Sequence, residues 1–140
     1  MRIMANESRM QKWLDIVDRD IDVAEWLQNK TVQAMDTPRI LSRDEAIQFV
    51  RRYKQVIAPR FNGQVKVMMY GSYAKGCPTP WSDIDVAVII PKVNDEEWLK
   101  QSTALVRDGR QVTSLIEPVL MEEHEDSILY DDVMHTGVTV

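Results

Sequence analysis

The segment that most limits the possible folds is Asp83-Ile84-Asp85 followed by residues 86–90, two aspartates leading into an unbroken apolar run. A strand that is apolar on both faces is covered on both sides, which places it inside a sheet and not at an edge. The run is far shorter than the roughly 20 residues that span a bilayer. The chain is therefore expected to form an α/β domain whose central strand begins with two carboxylates.

Hydrophobic periodicity and capping signals predict the neighbouring elements. Ser42 and Glu45 form a capping box that starts a helix, and Pro59 ends it. Pro118 disfavours a fully paired central position for its strand. The predicted elements are helices over 42–58, 94–107 and 126–136 and strands over 65–70, 83–90 and 114–121. This order predicts an α/β (α+β) fold, a small mixed sheet flanked by helices.

Three details of this assignment can be compared with the structure. Asn94, with Glu97 three residues later, is expected to cap the second of these helices. Gly137 is expected to end the last helix as its C′ residue. The acidic stretch 122–126 around His124 is interpreted as a solvated turn.

Ahead of this domain, residues 8–29 carry apolar side chains at spacings of three and four, which predicts an amphipathic helix. Thr37-Pro38 marks a turn or linker. Residues 1–38 are therefore expected to be a helical extension with a linker, and residues 39–140 the folded domain.

Composition excludes several classes of protein. The chain has 140 residues, which suits a single domain with a real core, and a formal net charge of −5. General nucleic-acid binding needs an excess of Lys and Arg, which is absent here. One cysteine, Cys77, cannot form an internal disulfide, and no apolar signal segment follows Met1. We expect a cytoplasmic protein that does not cross a membrane.

The paired aspartates point to a metal. In a strand, residues i and i+2 share a face, so Asp83 and Asp85 project together about 6–7 Å apart. Two such charges repel unless a cation lies between them, and carboxylate oxygens favour Mg²⁺. Glu117, inside the apolar strand 114–121, is costly to bury unless it is paired, binds metal or keeps its head in water. These alternatives stay open from the residues alone.

A Gly-Ser turn precedes the aspartates. Gly71 lets the backbone approach a ligand closely, and Ser72 begins a short helix whose first N–H groups favour an anion. Lys75 adds a mobile positive charge. A phosphate-binding turn is thus one interpretation, and an ordinary tight turn is the other.

Together, Gly71-Ser72, ten intervening residues, Asp83-x-Asp85 and a later strand acid resemble the DNA polymerase β-like nucleotidyltransferase superfamily. In size the chain is similar to the minimal nucleotidyltransferases of HEPN toxin–antitoxin pairs. The resemblance departs at Glu117, because the third acid is more often Asp. The first thirty residues look like the opening helix of a HEPN domain, but His124 and His135 lack the upstream Arg of HEPN ribonucleases.

The resemblance implies catalysis by Asp83, Asp85 and Glu117, which would hold two Mg²⁺ ions, with Gly71, Ser72 and Lys75 binding the nucleotide. It implies ATP as substrate and transfer of AMP to a tyrosine of a partner HEPN toxin, in an antitoxin role. Two alternatives stay open: a non-catalytic antitoxin or interaction module, and an aminoglycoside-type small-molecule nucleotidyltransferase whose acceptor pocket a homo-oligomer would build.

Several further side chains could lie at such a site. The segment 39–60 holds six basic residues against two acids, interpreted either as a solvated helix face or as a phosphate-facing patch. Arg43, Arg51 and Arg52 are its candidates for neutralising pyrophosphate. Trp81 and Tyr73 flank the motif, where they either pack in the loop or stack on a nucleobase.

Overall fold

The computed structural model describes residues 39–140, so the predicted amphipathic helix and linker in 1–38 lie outside the described residues. Four α-helices and four strands follow one another along this part of the chain. They are α1 (Arg43–Ile57), a 3-10 turn (Ala58–Phe61), β1 (Lys66–Tyr70), α2 (Ser72–Lys75), β2 (Ile84–Ile90), α3 (Trp98–Val112), β3 (Ile116–Glu122), α4 (Ile128–Thr136) and β4 (Val138–Thr139).

The strands form one mixed sheet in the order β3-β2-β1-β4. β1 pairs antiparallel with β2 and β4, whereas β2 and β3 run parallel. The aspartate-led strand β2 is therefore interior, as its apolar run predicts. β3 lies at an edge, where Pro118 removes no hydrogen bond from a second neighbour, and this expectation is also confirmed.

Alternation along β2 sends its side chains to two different cores. Val86, Val88 and Ile90 belong to the larger core, which the helices α1 and α3 cover. Ala87 and Ile89 belong to a smaller core on the opposite face, covered by α4. Because Asp85 alternates with Val86, its carboxylate is on the α4 face.

Local signals explain α1. Ser42 Oγ accepts from Glu45 N at 3.0 Å, and Glu45 Oε1 accepts from Ser42 N at 3.1 Å, so the capping box is confirmed. The α-helix ends just before Pro59, which lies near the start of the 3-10 turn that follows. Asn62 and Gly63 then turn the chain with positive φ of 54° and 76°, which leads into β1.

The predicted limits of the next long helix are wrong at both ends. Asn94 Oδ1 accepts from Glu96 N at 2.9 Å, which caps a turn, and α3 begins only at Trp98 with no side-chain cap from Glu97. The helix continues beyond Arg107 to Val112. Gly109 lets this part of the helix pack closely on β3, because a Cβ there would lie only 3.3 Å from Ile116 Cγ2.

The C-terminal region contains two further corrections. Gly137 ends α4, but its φ of −73° differs from the left-handed conformation expected of a C′ glycine. Glycine is needed there for space, because a Cβ would overlap Val133 O and approach Met68 Cε. The two-residue strand β4 was not predicted, since alternation cannot be recognised over so short a segment. It pairs with Met68 and Met69 of β1 and forms the edge strand opposite β3.

The solvated-turn interpretation of residues 122–126 is wrong for two of its acids. Glu122 and Glu125 are buried, while His124 is exposed, has φ 60° and lies edge-on to Tyr130. Backbone N–H groups and a serine hydroxyl bind the buried carboxylates. No helix among residues 39–140 combines the length and the apolar character needed to cross a bilayer.

Candidate active site

Three side chains stand in a row across the sheet on the face that α4 partly covers. Tyr70, the last residue of β1, is the register partner of Asp85, and Asp85 is the partner of Glu117 in β3. Neighbouring strands lie about 4.8 Å apart, and residues in register project to the same face. The sheet therefore brings the second aspartate and the predicted strand acid side by side.

Asp83 precedes β2 and lies two residues before Asp85. The backbone is already paired there, since Ile84 N donates to Leu115 O at 2.8 Å, and extended alternation puts Asp83 on the Asp85 side. Asp83, Asp85 and Glu117 are all partly exposed, whereas Ile84 between the aspartates is fully buried. The carboxylates thus line an accessible margin of the sheet.

Gly71 connects the predicted phosphate turn to these acids. Its φ of 74° and ψ of −153° lie in a region that is essentially reserved for glycine. A Cβ built there would overlap Asp85 Oδ2 and lie 3.0 Å from Asp85 Cγ. The backbone of the turn therefore lies directly against the Asp85 carboxylate. Only glycine, which has no Cβ, leaves room for this contact.

The turn continues into the short helix α2. Lys75 N donates to Gly71 O and Cys77 N to Ser72 O, both at 3.0 Å, and Gly76 closes the helix with φ 78°. Ser72 is the first residue of this helix, so the structure brings it next to Gly71 and one turn from Lys75. The three predicted nucleotide-binding residues thus share one local unit.

A residue of the site that sequence reasoning missed is Asp132 on α4. Its Oδ1 lies 3.6 Å from Lys75 Nζ, and both side chains are partly exposed. In the sequence Asp132 resembles any acid on a helix surface, so no local signal distinguishes it. Only the packing of α4 over the sheet brings it to the site.

Tyr70 is the second missed residue. Burial raises the pKa of its phenol well above the ordinary value, and the negative charges of Asp85, Glu117 and Asp132 raise it further. The phenol is therefore neutral at physiological pH and lies near all three carboxylates. Its place directly before Gly71, at the end of an apolar strand, is the signal that could have identified it.

The loop between α2 and β2 is built by its own polar side chains. Thr79 N donates to Ser82 Oγ at 2.8 Å, and Ser82 N to Thr79 O at 3.0 Å. This turn leaves the Trp81 side chain 63% exposed. Tyr73 is only 3% exposed, and its Oη accepts from Leu41 N at 3.1 Å, so it packs in the core and cannot stack on a base.

The basic segment 39–60 divides into engaged and exposed residues. Arg39 pairs with Glu45 at 3.0 Å, Arg60 with Asp108, and Lys54 Nζ donates to Val140 O. Arg51 and Arg52 are exposed on α1, which covers the face opposite the carboxylates. The interpretation as a solvated helix face is favoured for these two arginines.

Among residues 39–140, no three carboxylate, imidazole or thiol side chains are arranged so that they would hold a metal ion by themselves. Mg²⁺ usually takes one or two carboxylates and completes its shell with water and substrate phosphates. The hard oxygens of Asp83, Asp85 and Glu117 on one accessible face are donors of that type. The residues therefore fit a magnesium ion that arrives with a triphosphate.

The mixed four-stranded sheet flanked by helices is consistent with the polymerase β-like nucleotidyltransferase fold. Residues 50–133 match the profile of the nucleotidyltransferase domain family, which is well over half of the chain. The chain belongs to that family.

One solved structure similar to this chain is that of a putative nucleotidyltransferase from Sulfolobus solfataricus. The two superpose with a TM-score of 0.50 at 18% identity, over 72% of this chain and 87% of the other. At this identity the likeness concerns the fold alone. No curated protein sequence matches the chain.

Proposed function

We propose that the protein transfers a nucleoside monophosphate, AMP from ATP, to a hydroxyl acceptor in a Mg²⁺-dependent reaction. Family membership supports nucleotidyl transfer in general. The observation that carries the proposal is the alignment of Asp85 with Glu117 across β2 and β3, with the Gly71 backbone against Asp85. The turn that we propose binds phosphate and the acids that we propose bind metal thus lie at one margin of the sheet.

In this reaction the acceptor oxygen forms a bond to the α-phosphorus and releases its proton to the surrounding water. The bond from the α-phosphorus to the bridging oxygen breaks, and pyrophosphate leaves with that electron pair. Asp83 and Asp85 would hold the magnesium, which supplies Lewis-acid stabilisation of the phosphate oxygens, and Glu117 would share in holding it. Glu117 would also orient the acceptor hydroxyl, because it lies beside Asp85 on the same face.

The turn residues would bind the leaving group. Gly71 exposes its backbone, Ser72 contributes a hydroxyl, and Lys75 brings a positive charge to the β- and γ-phosphates. Trp81, which is largely exposed in the adjoining loop, is available for stacking on the base.

For the acceptor we propose a tyrosine of a HEPN-type partner protein, which follows from the resemblance to minimal nucleotidyltransferases. The carboxylates lie at an accessible margin beside α4, where a protruding side chain of a second protein can approach. Residues 1–38 would serve as an extension for docking or dimerisation, and residues 39–140 as the catalytic domain.

Incubation with α-labelled ATP and Mg²⁺ tests the proposal. The acceptors are a purified HEPN protein and, separately, an aminoglycoside. We expect label on a tyrosine of the HEPN protein, and none with the Asp83→Ala/Asp85→Ala variant. Label on the aminoglycoside instead would favour the small-molecule alternative. A stable complex without label, unchanged in the double variant, would favour a binding module.

A further inference from the structure

Within the part of the chain that the structure describes, an ion pair between Lys75 and Asp132 joins the turn to the last helix. The Nζ to Oδ1 distance is 3.6 Å, and the side chains are 44% and 38% exposed. This distance exceeds that of a good charge-assisted hydrogen bond, and pairs of such exposure contribute little to stability. The lysine is held near the carboxylate by a contact that a stronger anion would readily replace.

Asp132 belongs to the same cluster as the proposed metal-binding acids. Tyr70 connects them: its ring packs against the small core that contains Tyr130 and Val133 of α4, and it is the register partner of Asp85. Burial raises the pKa of the Tyr70 phenol, and the charges of Asp85, Glu117 and Asp132 raise it further. Asp132 therefore lies at the margin of the sheet where a triphosphate would bind, beside the Lys75 ammonium.

We propose that Asp132 is a positioning residue that holds the Lys75 ammonium in the nucleotide-free protein and yields it to the β- and γ-phosphates of the incoming nucleotide. This inference rests on the proposed function. The lysine has one partner before binding and another after it, since a triphosphate carries several charges and Asp132 only one. Asp132 consequently lowers the affinity for triphosphates by competing for Lys75, and it keeps the lysine beside the turn when no nucleotide is present.

The test measures dissociation constants for ATP–Mg²⁺ by calorimetry at fixed ionic strength, because salt screens exposed charges. Asp132→Asn preserves the shape of the side chain and removes its charge. We expect ATP–Mg²⁺ to bind about two- to fivefold more tightly, the range that corresponds to a partly exposed ion pair. In a Lys75→Gln background, the same substitution should change the affinity less than about 1.5-fold, since the competition no longer exists.

Two controls separate this role from a general effect of charge or of structure. Asp131→Asn removes the same charge from the exposed neighbour on α4, which makes no ion pair with Lys75 among the described residues, and should leave the affinity unchanged. AMP lacks the β- and γ-phosphates, so its binding should be the same in Asp132→Asn as in the wild type. A purely structural change at α4 would alter AMP and ATP binding together.

The inference is supported if Asp132→Asn tightens the binding of ATP but not of AMP, if Asp131→Asn does not tighten it, and if the effect requires Lys75. It is overturned if Asp132→Asn leaves ATP affinity unchanged or weakens it, if Asp131→Asn tightens binding equally, or if the effect persists in Lys75→Gln. A wild-type protein that does not bind ATP–Mg²⁺ would refute the proposed function and this inference with it. Wild-type binding without the expected pattern refutes the inference alone.

Discussion

Two groups of acids occupy opposite ends of the parallel strands β2 and β3, and they differ in what surrounds them. At the far end, Glu122 and Glu125 are only 7% and 4% exposed. Val93 N donates to Glu122 Oε1 at 3.1 Å, while Glu122 N and Ser127 Oγ each donate to Glu125 at 2.8 Å. These carboxylates have a structural role, because their hydrogen bonds hold the segments that follow β2 and β3 in place.

At the near end, Asp83, Asp85 and Glu117 are partly exposed and lie on one face of the sheet. A buried carboxylate with N–H and O–H partners stabilises a local structure, whereas carboxylates grouped at an accessible margin can be reached by a cation. The residue type alone therefore does not indicate whether an acid in a strand has a structural role or is accessible to a ligand. Its burial and its neighbours decide whether a ligand could reach it.

The sharpest test of this contrast removes the charges at the near end. Asp83→Asn/Asp85→Asn should lower nucleotidyl transfer about 10³-fold or more, because the magnesium that they would hold in the proposed reaction would stabilise the transition state by several kcal/mol. The thermal unfolding midpoint should stay close to that of the wild type. Steady-state transfer assays and a thermal melt measure both quantities. A large loss of stability with unchanged activity would place these acids with Glu122 and Glu125.

The second test concerns the contact between the turn and Asp85. Gly71→Ala should destabilise the fold by about 3 kcal/mol and lower transfer about 10²-fold or more, since the backbone region excludes side chains and the new Cβ overlaps the carboxylate. Denaturant unfolding and transfer assays provide the measurements.

Gly76→Ala is the matched control, because it also has positive φ but nothing within 4 Å of its Cβ. It should cost only about 1–2 kcal/mol and leave transfer per folded molecule nearly intact. Equal losses at the two glycines would show that the approach to Asp85 has no importance.

At the far end, Glu125→Ala should destabilise the protein by about 1–3 kcal/mol, because Glu122 N and Ser127 Oγ lose their acceptor in a buried place. Activity per folded molecule should remain within about twofold of the wild type. Chemical denaturation gives the free energy of unfolding. If Glu125→Ala abolished nucleotidyl transfer but left the free energy of unfolding unchanged, the proposed difference between the two ends would be wrong.

The smallest effect is expected at an acid outside both groups. Glu45 pairs with Arg39 and accepts from Ser42 N, which lowers its pKa from 4.5 to about 2. Since the folded pKa lies below the unfolded one, its stabilising contribution is complete above pH 4.5 and is lost as the pH falls toward 2. The stability difference between wild type and Glu45→Gln should thus shrink over this interval in acid titrations followed by circular dichroism. A difference that stays constant from pH 6 to 2 would contradict it.

Sequence patterns predicted the architecture better than the element boundaries. The apolar run after Asp85 identified a central strand, Pro118 an edge strand, and Ser42 with Glu45 a helix start, because each signal acts through the local backbone. The start of α3 was missed, since Asn94 caps a turn with the same hydrogen bond that would cap a helix. Its end was missed because Gly109 serves packing against β3, a long-range cause.

The candidate site divides along the same line. Gly71, Asp83, Asp85 and Glu117 were recognisable from their spacing, and their roles in binding and catalysis stay predictions. Tyr70 could have been found from its place directly before Gly71, whereas no local signal distinguishes Asp132. Asp132 lies 57 residues from Lys75 in the numbering of the chain, and only the tertiary packing of α4 brings the two together.

By itself the sequence determined that β2 is an interior strand opened by two carboxylates, because alternation, apolar runs and caps depend on near neighbours along the chain. The tertiary structure alone decided which acids stay accessible and which are buried. Glu117 and Glu122 belong to the same strand, yet strand register places one beside Asp85, and the chain that folds back after β3 encloses the other. That choice depends on which distant segments cover each end of the sheet, and no local pattern of residues contains this information.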